Sequence, residues 1–149
     1  MIIYYGKYFA DIIHTINKTR NSCLISGDFT PFPVTVNKYL SLNNKKGVNT
    51  ANMLKLFNIN ADNNLNTLSY FEHKKLAFLS ALISNSSFII FEEPSLFLSD
   101  TEKIEMADLL NLFKFKNIAV LEKDVSFCKK LKCKIRYLPL YQTNPVNIN

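Results

Sequence analysis

From residue 68 to residue 99 the chain reads LSYFEHKKLAFLSALISNSSFIIFEEPSLFLS, and four structural signals follow one another there without a break. Ser69 and Glu72 form an S-x-x-E pattern, in which each side chain bonds the other residue's backbone amide and starts a helix. The run that follows, to Ile83, has the spacing of an amphipathic helix. Residues 88–91 are four apolar residues in a row, which suits a strand buried on both faces. Two carboxylates, Glu92 and Glu93, close it, followed by Pro94.

The rest of the chain continues this alternation. Residues 1–5 are apolar and β-favouring, and residues 7–17 place Tyr8, Ile12 and Ile16 at helical spacing. A second strand is expected over residues 22–26. Pro31 and Pro33 then hold the backbone extended, and residues 34–42 read as either a helix or an extended segment. A short helix over 50–57 lies between polar loops at 43–49 and 58–66. Ser99 and Glu102 repeat the capping pattern before a helix from about 101 to 113. A strand at 118–121, a short helix at 126–131 and a last strand at 135–140 complete the pattern. Such alternation argues for an α/β fold, a mainly parallel sheet flanked by helices. It predicts one domain over residues 1–142 and a polar tail at 143–149. In such sheets the functional edge is the carboxyl end of the strands. Glu92 and Glu93 would lie there, and so would Glu122, Lys123 and Asp124.

The net charge of +6 permits an acidic partner, nucleic acid or an anionic membrane surface, and equally serves solubility. The run Lys129, Lys130, Lys132, Lys134 and Arg136 is the strongest feature for nucleic acid, although a solvated face explains it too. Three cysteines without a disulfide-rich pattern fit a reducing compartment. Cys128 and Cys133 lack a second ligand pair nearby and His14 and His73 are isolated, so no metal is expected. No stretch approaches the roughly 20 continuous apolar residues that span a bilayer. Abundant Asn, Lys and Ile suggest an AT-rich coding sequence, as in an organelle, endosymbiont or parasite, and the expected location is an organelle, the mitochondrion, peripheral to a membrane.

Leu68-Ser69-Tyr70-Phe71-Glu72 with the helix after it resembles the signature motif of ABC-type ATPases. Phe88 to Pro94 resembles their Walker B strand and the Glu-Pro beyond it. By the same resemblance, residues 95–99 correspond to the D-loop and Val120 to Asp124 to the switch strand. Residues 22–40 are similar to the strand, Q-loop and T-V-x-x-x-L segment. The resemblance implies a reduced ABC-ATPase-like core without the family's N-terminal β-subdomain. It also implies a degenerate site. The phosphate-cradling G-x-x-x-x-G-K-[ST] loop has no counterpart, since Gly6-Lys7 is followed by Tyr8. Tyr70 and Phe71 replace signature glycines and should obstruct backbone approach to a phosphate. Gly27 stands for the Q-loop glutamine, Lys123 for the switch histidine and Glu92 for the Walker B aspartate. Glu93 keeps the position of the catalytic base. With Glu92, Glu93 and Lys123 as relic positions and Ser69, Tyr70, Phe71 and Glu72 as a relic signature, neither catalysis nor a nucleotide cofactor is expected. The short spacings are similar to those of the haem-export ATPase of cytochrome c maturation.

Three functional readings follow. The leading one is a non-hydrolysing subunit that serves as a structural or docking part of a larger, membrane-associated assembly. Phe29, Phe32, Val34, Val36 and Tyr39 lie where the family receives a membrane partner, which makes them the expected partner face. The second is an active transporter ATPase whose nucleotide contacts a partner completes. The third is a basic protein bound to RNA, for example in a ribosome.

Overall fold

The structure of the protein, a computed structural model, describes residues 1–6, 9–19, 21–26 and 33–137. Five strands, β1 (Ile2–Tyr5), β2 (Ser22–Ile25), β3 (Phe88–Glu92), β4 (Ile118–Glu122) and β5 (Lys134–Tyr137), form one sheet in the order β2-β3-β4-β1-β5. Every pairing is parallel. Six helices connect them: α1 (Ala10–Thr19), α2 (Val36–Asn43), α3 (Thr50–Phe57), α4 (Tyr70–Ile83), α5 (Asp100–Leu112) and α6 (Val125–Lys130). Among the described residues this is the only sheet, and no helix is long and apolar enough to cross a membrane. The expected α/β layout is therefore present.

The two sheet faces are covered unequally. Ile3, Ile25, Ile89, Phe91, Ile118 and Val120 point into a large core shared with α2 to α6. On the opposite face Ile90, Ala119 and Leu121 pack with Phe9 and with Ile12, Ile13 and Ile16 of α1. Alternation along each strand distributes these residues between the faces, and β4 is buried at all five positions because helices lie on both sides. Phe78 of α4 sits at the centre of the larger core, its ring 5.8 Å from Phe57, 5.7 Å from Phe91 and 5.9 Å from Phe113.

The local signals behave as the chemistry demands. Both capping boxes form, Ser69 with Glu72 and Ser99 with Glu102. Asn58 ends α3 in the left-handed conformation that asparagine tolerates better than most residues. Residues 34–42, open between helix and extended chain in the sequence, contain α2, which Thr35 caps by accepting from the Lys38 amide.

Three expectations need correction. Helix α4 is not amphipathic in its surroundings. Ten of its fourteen residues, Lys74 and Lys75 among them, are buried, because α2 and α3 cover the side turned away from the sheet. Phe71 is only 6% exposed and belongs to the core, so of the two bulky signature residues Tyr70 alone stands at the surface. Val36, assigned to a partner face, is fully buried as the first residue of α2. Val34 and Tyr39 are half-buried against the same core. Phe29, Phe32, Gly27 and the tail at 143–149 lie outside the described residues.

Candidate functional site

Parallel pairing of β3 and β4 aligns Glu92 with Leu121, so both strands deliver their last residues to one edge. Beyond β3, the Glu93 amide donates to the Leu121 carbonyl at 2.7 Å, and Glu93 turns into the left-handed region at φ 44°. A residue with a Cβ enters that region at a cost of roughly 1–2 kcal/mol. Two contacts hold it there. Lys123 Nζ lies 2.8 Å from Glu93 Oε1, and Lys74 Nζ donates to the carbonyls of Glu93 at 2.7 Å and Pro94 at 3.2 Å. Alternation from Ile90 places the half-buried Glu92 on the α1 face of the sheet.

Glu122 is the structural centre of this edge. It is 2% exposed, and its Oε2 accepts from the Ser95 amide at 3.1 Å. Its Oε1 accepts from the amides of Lys123 at 2.8 Å and Asp124 at 3.0 Å. One buried carboxylate thus ties the turn after β3 to the turn after β4. Its main-chain carbonyl also accepts from the Gly6 amide beyond β1, at 3.3 Å. Asp124 caps α6, accepting from Ser126 and Phe127, and pairs with Lys103 of α5 at 2.9 Å. The Ser126 hydroxyl, then Lys103 and the capping amides, hold the Asp124 carboxyl well below its ordinary range against the opposing effect of burial. The same carboxylate raises the pKa of Lys103. Burial lowers Lys74 to about 8, and the charges of Glu122 and Glu93 pull the other way.

These groups surround a cavity of about 330 Å³ lined by Glu93, Ser95, Phe97, Lys103, Glu122 and Lys123, with Asp124 at its rim. Two lysines face three carboxylates, and Lys74 behind the wall completes the balance. Each of these carboxylates already meets a lysine or backbone amides. A polyphosphate would need surplus positive charge or an array of unengaged amides. This cavity presents neither among its described residues.

The site joins Glu93, Glu122, Lys123 and Asp124, all placed at this edge by strand direction, and leaves the residues of the signature resemblance outside the cavity lining. Ser69 and Glu72 bond one another at the start of α4. Tyr70 packs edge-on against Phe97, ring centroids 5.9 Å apart, with Lys74 Nζ 5.1 Å from its own ring. Phe97 is 80% exposed and also has a positive φ, 60°. Lys74 and Lys103 were missed by sequence reasoning. Lys74 had a readable signal, since it falls between Phe71 and Phe78 on the buried stripe of its helix. Lys103 had none, because only the fold brings α5 to the end of β4. A second cavity of about 280 Å³ runs along the edge strand β2, lined by Leu24, Tyr39, Tyr70, His73, Lys74 and Ala77 among others.

No protein-family model matches the chain. No curated protein matches it either. Solved structures do. An inward-facing metal-chelate-type ABC transporter shares 15% identity at a TM-score of 0.73, over 93% of this chain and 68% of that one. Archaeal ABCE1, in a ribosome-bound model with Pelota, gives 16% identity and a TM-score of 0.71, over 92% of this chain and 31% of the other. The ATP-binding cassette MJ0796, a dimer bound to ADP and Pi, gives 19% identity and 0.60, over 86% and 62%. At such identities the likeness is one of fold. The fold is that of an ABC ATPase core, and the chain spans from 31% to 68% of the length of these neighbours.

Proposed function

We propose that the chain is a degenerate, non-hydrolysing ABC-ATPase-like subunit that acts as a structural or docking part of a larger, membrane-associated assembly. One observation carries the reading. At the position where the family resemblance puts the catalytic base, Glu93 is engaged by Lys123 at 2.8 Å, inside a cavity whose charges are already balanced. A general base must be able to take a proton from water, and a carboxylate held by an ammonium group is a poorer base. The solved neighbours lend support to the assembly role, since one is a transporter and another is bound to a ribosome. The assembly we propose is a haem-export transporter of cytochrome c maturation, in an organelle and most simply the mitochondrion. Val34 and Tyr39, with Phe29 and Phe32, form the proposed partner face. Tyr39 lines the groove along β2, the edge strand of the sheet among the described residues.

Titration of the purified protein with labelled ATP and magnesium should give no binding at millimolar nucleotide. Tyr39→Ala should weaken co-purification of the assembly. Micromolar binding would instead favour a second reading, an active subunit with sites completed by a partner. That reading draws on the survival of Glu93 in the lining of the cavity. It requires Glu93→Gln to abolish turnover in the assembled complex.

A further inference from the structure

The edge of the sheet opposite the Glu93 cavity has a different chemistry. It is built from the segments that enter strands β2 to β5, residues 17–19, 84–88, 111–117 and 129–134, and from the loop between α2 and α3, residues 43–49. Together these contain nine lysines and no aspartate or glutamate. The acidic residues cluster elsewhere, seven of the twelve in segments 92–105 and 122–124. The fold joins the basic segments side by side. Asn111 donates to the Lys130 carbonyl at 3.0 Å and accepts from the Lys132 amide at 2.7 Å, which docks segment 129–134 against the end of α5. Lys46 reaches the Leu82 carbonyl at 3.3 Å, and Asn117 donates to the Ser87 carbonyl at 3.2 Å.

Within this edge lies a cavity of about 470 Å³, lined by Lys46, Asn85, Ser87, Phe115, Lys116 and Asn117 among others. That volume falls in the range of small-ligand sites, about 300–1,000 Å³. Phe115 is 73% exposed, backed by Phe113 at 6.4 Å between ring centroids, with Lys116 Nζ 5.7 Å from its ring. An apolar ring kept in water on a uniformly basic, amide-rich surface is poorly explained by solubility alone.

We propose that this edge binds single-stranded RNA. A base would stack on Phe115, the amides of Asn85 and Asn117 would meet its polar edge, and the lysines would track the phosphates on either side. Single strands offer unstacked bases to an aromatic platform beside a positive groove. A duplex offers none, and a flat anionic membrane would meet the lysines but not the concave, amide-lined cavity. The site is distinct from the Glu93 cavity, and it adjoins the groove along β2 at Ala81, which lines both cavities.

Fluorescence anisotropy with a labelled 12-mer oligouridylate tests it on the full chain, with duplex RNA and phosphatidylserine vesicles as competitors. Binding should weaken steeply with salt, by about 0.7 in the log–log slope for each phosphate contact. Lys46→Gln with Lys116→Gln should flatten that slope. Phe115→Leu should weaken binding about ten-fold, while Phe115→Trp retains it, as stacking predicts. Absence of salt-sensitive RNA binding overturns the proposal. So does equal affinity in Phe115→Leu, which keeps apolar bulk and removes only the ring. Displacement of the RNA by vesicles but not by unlabelled single strands would assign the edge to a membrane surface and overturn it as well.

Discussion

Lys74 shows how much one side chain can decide. It is 6% exposed, yet it carries an ammonium group that caps the carbonyls of Glu93 and Pro94. Those two carbonyls belong to the strained turn that aims Glu93 at Lys123. Burial lowers its pKa from the ordinary 10.5 to about 8. Between those values the unfolded chain binds the proton that the folded protein has released. This contribution to stability therefore rises with pH across the window, by up to about 1.4 kcal/mol per pH unit. The thiols titrate in the opposite sense. Burial raises Cys128 to about 12, so that above pH 9, where unfolded thiols ionise, it favours unfolding. Comparison with Lys74→Met cancels the thiols. Urea unfolding at about pH 7.5 and about pH 9.5 should show the stability of the parent rising relative to that variant. A difference that stays flat would mean that Lys74 keeps an ordinary pKa.

Helix starts are where local sequence acts most directly. Ser69 and Ser99 each accept from the amide three residues on, and Glu72 and Glu102 return the bond. The two boxes orient α4 and α5, and those helices position Lys74 and Lys103 beside the ends of β3 and β4. Replacing a capping serine by alanine costs about 0.5–2 kcal/mol. Ser69→Ala and Ser99→Ala should each lower the unfolding free energy by about 1 kcal/mol. Separate helices share no cap, so the double variant should show the sum within about 0.5 kcal/mol. Denaturant midpoints measure both effects. A loss in the double variant much larger than the sum would reveal coupling through the helix that each box begins.

At the scale of the whole molecule, Phe78 joins the layers. Its ring meets Phe57 of α3, Phe91 of β3 and Phe113 at the end of α5. Phe78→Ala should cost about 3–5 kcal/mol, since the cavity left behind has rigid walls on the sheet side. Domains of this kind hold about 5–15 kcal/mol in all. Thermal unfolding should therefore show a large loss, and Phe78→Leu a smaller one. The charge distribution also belongs to this scale. Acidic groups gather at the carboxyl end of the strands, and lysines gather at the amino end.

Alternation, capping and apolar runs are local, and they sufficed for the α/β class, all five strands and the starts of α4 and α5 at their capping boxes. The carboxyl edge with Glu92, Glu93, Glu122, Lys123 and Asp124 followed from strand direction alone. Contacts between residues far apart in the chain could not be read that way. Whether Val36 faced a partner, and Phe71 the place of a signature glycine, or both faced the core depended on how α2 and α4 pack, and packing buried both. The pairing of Lys103 with Asp124 spans 21 residues, and that of Lys74 with Glu93 spans 19. The nine lysines of the amino edge lie scattered over residues 18 to 134; parallel strands return the entering loops to one side, and the packing of α2 and α3 on α4 brings Lys45 and Lys46 to it. Periodicity tells a segment which shape to take and which face to bury, but only the closed sheet determines which segments become neighbours.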